Sequence, residues 1–258
     1  VGRSLSQVFP AKQNVIGDIV LEAQDISSGT EVRNVSFYLK KGEILGFAGL
    51  VGAGRTETLK AVFGADPKSK GMVKINGRVV PIHSPKDAIH WGIGFVPEDR
   101  KREGLVTELS VMDNVVMAKM ENSMNHGLFS IGKAKALCRN YIDSLMIKTP
   151  SEKQLAKYLS GGNQQKVVLA KWLNCAPDII VLDEPTRGID INAKMEIYNI
   201  IVKLAKEGKS IILVSSEMQE IIGLCDRVYV MCEGKVAGTL MKEELTQEKI
   251  MSYATGGR

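Results

Sequence analysis

Two short stretches carry residues able to work on phosphate esters. Leu159-Ser-Gly-Gly-Asn-Gln-Gln-Lys166 interrupts a helical pattern with a serine and two glycines just where a new helix begins. A hydroxyl and exposed backbone N–H groups at a helix N-terminus suit an anion, which makes Ser160, Gly161 and Gly162 candidate phosphate contacts. Downstream, Ile179-Ile-Val-Leu-Asp-Glu-Pro-Thr186 is an apolar run ending in two carboxylates. That is the form of a buried strand delivering acids to its C-terminal edge. Asp183 there is a candidate Mg²⁺ ligand and Glu184 a candidate to orient or deprotonate an attacking water. Acidic strand ends also occur with no such role.

A third stretch, Gly49-Leu-Val-Gly-Ala-Gly-Arg-Thr-Glu57, follows a strand pattern and opens a helix, the context a glycine-rich phosphate loop requires. Gly49, Gly52 and Gly54 supply the turn, and Thr56 a hydroxyl for Mg²⁺. The usual lysine is missing and Arg55 stands in its place. Arginine is planar and bulkier than the compact ammonium that fits between β- and γ-phosphates. Glu57 suits the positive end of the helix dipole but repels an anionic ligand.

The elements that must position these groups read as α/β. IVLEAQDI and VRNVSFYL are strand-like, the second with Val35, Phe37 and Leu39 alternating as in a half-buried antiparallel strand. ILGFAG is apolar throughout, as a strand buried on both faces should be. A helix is predicted over Thr56 to Phe63, stopped by Gly64. Asn76-Gly77 signals a type I′ hairpin, and Ser84 with Pro85 a helix start. IGFVPE reads as a strand. From 100 to about 175 strand signals vanish and the runs SVMDNVVMAKM, GKAKALCRNYIDSLMI and GNQQKVVLAKWL predict a helical insertion. Strands return as DIIVLDEP and SIILVSS, and VYVMCEGKVAGTL closes with a hairpin. Alternating strands and helices imply a mainly parallel sheet with its site at the strand C-terminal ends.

Composition narrows the class. The chain has 258 residues, 44% apolar and 24% charged, with a formal net charge of +5, the profile of an ordinary globule with one large α/β domain. No apolar run approaches the ~18 residues of a membrane span, and VGRSLSQVFP is not a secretory signal. The chain begins at Val1 rather than Met, which predicts a fragment. Cys138, Cys175, Cys225 and Cys232 form no CxxC pair and read as reduced thiols without metal. His83, His90 and His126 match no catalytic position. The scattered positive charge reads as a solvated face rather than a nucleic-acid surface.

Taken together, KKGEILGFAGLVGAGRTE, GFVPEDRKREGL, LSGGNQQK, LDEPTRGID and VSSEMQEI resemble the C-terminal nucleotide-binding cassette of monosaccharide ABC importers of the ribose/galactoside/xylose type. The resemblance implies an ABC-type P-loop core with an antiparallel β subdomain and a helical insertion. The expected layout is a linker over 1–17 and a cassette over 18–258, its core at 18–99 and 176–258 and its helical subdomain at 100–175. ATP and Mg²⁺ are implied as ligands, the latter on Thr56 and Asp183. Glu98 falls where the family has a glutamine that touches Mg²⁺ and water, Ser216 where it has a histidine on the γ-phosphate, and no aromatic stands near Ser27–Thr30 to stack on adenine. These departures, with Arg55, imply a degenerate site. Asp190 matches the aspartate that touches a partner cassette. The implied partners are a preceding cassette of the same polypeptide, transmembrane permease subunits and, indirectly, an extracytoplasmic sugar-binding protein, with no nucleic acid. The implied place is the cytoplasmic face of the membrane. A nucleotide-independent dimerisation module and a stand-alone soluble ABC ATPase remain alternatives.

Overall fold

The computed structural model describes residues 9–257, so the first eight residues of the linker expected over 1–17 lie outside the described residues. In chain order the elements are β1 (Ile19–Ser28), β2 (Val32–Lys40), β3 (Ile44–Gly49), α1 (Arg55–Phe63), β4 (Lys70–Ile75), β5 (Arg78–Val80), α2 (Pro85–His90) and β6 (Ile93–Val96). There follow α3 (Val111–Val116), β7 (Met124–Asn125), β8 (Leu128–Phe129), α4 (Ile131–Ser144) and α5 (Gly161–Leu173). The chain ends with β9 (Ile179–Asp183), α6 (Ile191–Lys206), β10 (Ser210–Val214), α7 (Met218–Leu224), β11 (Arg227–Cys232), β12 (Lys235–Met241) and α8 (Gln247–Ala254). These residues divide into two compact units: one of 9–95, 178–184 and 201–257, the other of 96–177 and 185–200.

The first unit holds both large sheets. β2-β1-β4-β5 is antiparallel, and Val35, Phe37 and Leu39 of β2 are all buried. The other sheet runs β12-β11-β3-β10-β9-β6, with β3 parallel to both β10 and β11 and β10 parallel to β9. Every residue of β9 and β10 is buried, as continuously apolar strands covered on both faces must be. Register then decides where chemistry can gather. Val214 pairs with both Phe47 and Asp183, so the chain leaves β3, β9 and β10 at one edge of the sheet. The Asn76-Gly77 turn has φ of 49° and 76°, the two positive values a type I′ turn needs. Ser84 caps α2 by accepting from Asp87 N–H.

The second unit is mainly helical, with two departures from the expectation. The helix expected over SVMDNVVMAKM stops at Val116, and Met124–Asn125 pairs with Leu128–Phe129 in a small hairpin. Its His126-Gly127 turn carries φ of 48° and 80°, the geometry of Asn-Gly turns reached with a less telling residue. Two-residue strands are too short to show alternation. α3 opens with a capping box between Ser110 and Asp113. On α5, Lys166 is buried, its ammonium donating to Met146 O at 2.8 Å and paired with Glu196 of α6 at 2.6 Å. No helix among the described residues is long and apolar enough to cross a membrane.

Candidate functional site

In the first unit the loop Leu50–Gly54 links the end of β3 to α1. Gly54 is the N-cap, at φ 89°, and no side chain caps the first turn. A Cβ there would lie 2.6 Å from Glu31 O, so both its dihedral and its space require glycine. At Gly52, by contrast, a Cβ would meet nothing within 4 Å, and the turn faces open space. The backbone N–H groups of the first turn of α1 are therefore left for an anion, as in a phosphate loop.

Opposite this turn the sheet edge presents its acids. Thr56 Oγ1 donates to Asp183 Oδ1 at 3.1 Å, and Asp183 Oδ2 is buried with no hydrogen-bond partner among the described residues. Burial lifts the Asp183 carboxyl to about 6; the Thr56 hydrogen bond opposes the shift and the neighbouring Glu184 adds to it. A hydroxyl and a carboxylate with one unused buried oxygen are hard ligands that fit Mg²⁺. Glu184 sits at φ 47°, a strained position for a non-glycine residue, held by its N–H donating to Val214 O at 3.0 Å. Ser216 Oγ donates to Glu184 Oε2 at 3.0 Å. Burial also raises the Glu184 carboxyl, and the Ser216 hydrogen bond and Arg55 pull it back.

Arg55 does not reach outward from the loop. Its Nη1 donates to Ser215 O at 3.0 Å, its Nη2 lies 3.8 Å from Glu184 Oε1, and only 9% of the residue is exposed. The guanidinium is turned against the sheet edge and shares its charge with the acids. Ser215 was not singled out by sequence, because its part is played by a carbonyl that carries no side-chain signal.

The second unit holds Glu98, Ser160, Gly161, Gly162 and Asp190. Ser160 is exposed and is the N-cap of α5, yet its oxygen takes no helix N–H; it accepts from Asn163 Nδ2 at 2.9 Å. A Cβ on Gly162 would lie 2.5 Å from Ala193 Cβ, so α5 and α6 can approach only through glycine. Asp190 is exposed and caps α6, accepting from Ala193 N–H at 3.0 Å. Glu98 is ion-paired with Arg187 beside an open cleft of about 440 Å³ that Asp99, Arg100, Lys101 and Gly188 also line. Within the first unit, then, the structure gathers Arg55, Thr56, Asp183, Glu184 and Ser216. Glu98 and the 160–162 turn belong to the other unit.

A strand, a glycine loop, a helix with an uncapped N-terminus and a strand-end acid paired with a threonine define a phosphate-loop α/β protein. Residues 32–187 match the family described as ABC transporter, and the chain belongs to that family. It is 49% identical over its whole length to a ribose import ATP-binding protein, RbsA, of Lactococcus lactis subsp. cremoris, of which it covers 52%. It is 47% identical over 257 residues to the RbsA of Bacillus cereus, again covering 52%. The chain thus spans about half the length of these curated relatives. Among solved structures, the ADP conformation of MJ1267, an ATP-binding cassette of an ABC transporter, superposes with a TM-score of 0.76 at 18% identity, covering 92% of this chain and 99% of that one. The dimeric structure of MJ0796, a bacterial ABC transporter cassette, gives 0.72 at 22% identity, covering 86% and 98%. At these identities the likeness establishes the fold.

Proposed function

We propose that this chain is the second of two nucleotide-binding cassettes in a monosaccharide importer, and that it acts mainly by completing the ATP site of its partner. The reading is supported by the relatives, sugar-import ATP-binding proteins about twice as long as this chain. Its natural setting is the cytoplasmic face of the membrane, against permease subunits that receive sugar from an extracytoplasmic binding protein.

The observation that carries the division of labour is the inward turn of Arg55. In a working loop the cation meets the β- and γ-phosphates. Here it is engaged by Ser215 O and Glu184, and Glu184, the residue placed to activate water, is held on one oxygen by Ser216 and faces Arg55 with the other. Binding a nucleotide in the Gly49–Thr56 loop with Mg²⁺ on Thr56 and Asp183 remains compatible with that arrangement; the ion would neutralise phosphate charge. Rapid hydrolysis is not, because a general base must be free to meet water.

The exposed turn at Ser160–Gly162 takes the opposite role. Ser160 and the first N–H groups of α5 bind the γ-phosphate of ATP held by the partner cassette and stabilise charge developing there. Asp190 marks the neighbouring contact with that cassette. The test is ATP turnover by the purified chain alone and after mixing with the preceding cassette. Background activity alone, with hydrolysis appearing on mixing and lost in Gly161→Asp, is the expected result. Turnover on the order of 1 per second from the chain alone, abolished by Glu184→Gln, overturns it. Absence of any ATP or ADP effect on melting with Mg²⁺ favours a nucleotide-independent dimerisation module.

A further inference from the structure

We infer that Arg100 is a positioning residue that ties the turn at Ser160–Gly161 to the loop at Arg187–Asp190, so that both meet the partner's nucleotide as one surface. The inference rests on the in-trans reading above, but its physical basis lies wholly within the second unit.

Arg100 opens a five-residue π turn, Arg100–Gly104. Asp99 builds that turn by accepting from Lys101 N–H at 3.0 Å and Arg102 N–H at 3.1 Å, which fixes where the next side chain starts. The guanidinium then donates to two consecutive carbonyls, Nη1 to Arg187 O at 2.7 Å and Nη2 to Gly188 O at 3.1 Å. Two adjacent carbonyls gripped by one planar fork cannot rotate independently. Asp190, two residues on, caps α6, so the clamp reaches the start of that helix through a short, closed path. Its Nε is buried with no partner among the described residues, so the group is partly desolvated by the turn that seats it.

The same guanidinium decides what stands at position 161. A Cβ on Gly161 would lie 2.8 Å from Arg100 Nη2 and 3.2 Å from Gly188 O. The glycine that exposes its N–H at the head of α5 is therefore also the space into which the clamp fits. An alanine there displaces the far end of Arg100, and with it the hold on Gly188. The clamp and the glycine are one device.

The chain alone supplies the first test. Amide exchange at Ala193 and Lys194, whose N–H groups donate to Asp190, and at Gln164, whose N–H donates to Ser160 O, should quicken about tenfold in Arg100→Ala, the scale of losing a charge-assisted hydrogen bond. Arg100→Lys, with one point donor, should restore part of it. Gly161→Ala should reproduce the faster exchange at Ala193 and Lys194, and the Arg100→Ala/Gly161→Ala double variant should quicken it no further. Additive effects, or wild-type exchange in Arg100→Ala, overturn the inference. In the full-length protein Arg100→Ala should lower kcat about tenfold with KM for ATP unchanged, because the nucleotide is held by the other cassette's own loop. A rise in KM with kcat intact contradicts the positioning role. Faster exchange at Gln164, Ala193 and Lys194 in a full-length protein that hydrolyses no ATP keeps the clamp and overturns the functional reading instead.

Discussion

The phosphate loop and the turn at Ser160 are both helix N-termini opened by glycine, yet they treat their polar groups in opposite ways. Around the loop three polar side chains are directed inward: Arg55 onto Ser215 O and Glu184, Thr56 onto Asp183, Ser216 onto Glu184. Around the turn the candidate groups stay outside, Ser160 and Asp190 both exposed. The lysines of α5 are inside, Lys166 on Met146 O and Glu196 and Lys171 on Gly104 O, and the half-buried Arg100 fork holds the carbonyls of 187 and 188. A base and a cation that engage each other have little left for an attacking water. A turn presented to solvent suits a group that arrives from outside, as the proposed reading requires. Composition does not distinguish the two, since both are Gly, Ser/Thr and charge; the direction of the side chains does.

The largest way to break this contrast is through the support under α5. Lys171 is buried with its ammonium donating to Gly104 O, and burial lowers it to about 8. Between pH 8 and 10.5 the unfolded chain keeps a proton that the folded chain releases, so stability should rise with pH across that window by on the order of 2–3 kcal/mol. Urea unfolding at the two ends of the window should show Lys171→Met losing that rise. Equal slopes in both proteins would mean the lysine is solvated and the turn lacks the support assigned to it.

A somewhat smaller effect is expected in the loop. Thr56→Val keeps the side-chain shape but leaves the buried Asp183 with neither oxygen hydrogen-bonded, at a cost of about 1–3 kcal/mol without Mg²⁺. Mg²⁺ should no longer raise the melting temperature in the presence of ATP. Were Thr56→Val to melt like the wild type, the inward-directed network would not be holding the acids. At the small end, Asp190→Ala removes the cap of α6 and should cost about 1 kcal/mol, measured by thermal unfolding. A loss well above that would show that Asp190 supports more than its own helix.

Much of this was legible in the sequence where a residue type alone decides geometry. Asn76-Gly77 needed two positive φ values and has them, ILGFAG needed cover on both faces and has it, and the apolar run ending at Asp183 does deliver its acids to the sheet edge. Legibility failed where the deciding partner is remote or is backbone. Arg55 is read from the sequence as standing where the loop usually has lysine, but its direction is set by Ser215 O, 160 positions away. Arg100 stands in GFVPEDRKREGL as one basic residue among several; only the π turn and the two carbonyls at 187 and 188 set it apart. Asp190, read as an interface residue, also has a local structural task as a helix cap, and the pattern GID cannot separate the two. The 124–129 hairpin was missed because His-Gly is a weaker turn signal than Asn-Gly and its strands are two residues long.

One measurement bears most directly on the division between the two regions: ATP turnover by the full-length protein carrying Arg55→Ala or Gly161→Asp. On the proposed reading Gly161→Asp puts a carboxylate where the γ-phosphate held by a partner cassette would sit, and it should cut turnover by about 10²-fold or more. Arg55→Ala removes a cation that faces its own sheet, so appreciable hydrolysis should survive while nucleotide binding to this chain weakens. Loss of turnover in Arg55→Ala as complete as in Gly161→Asp would contradict the account.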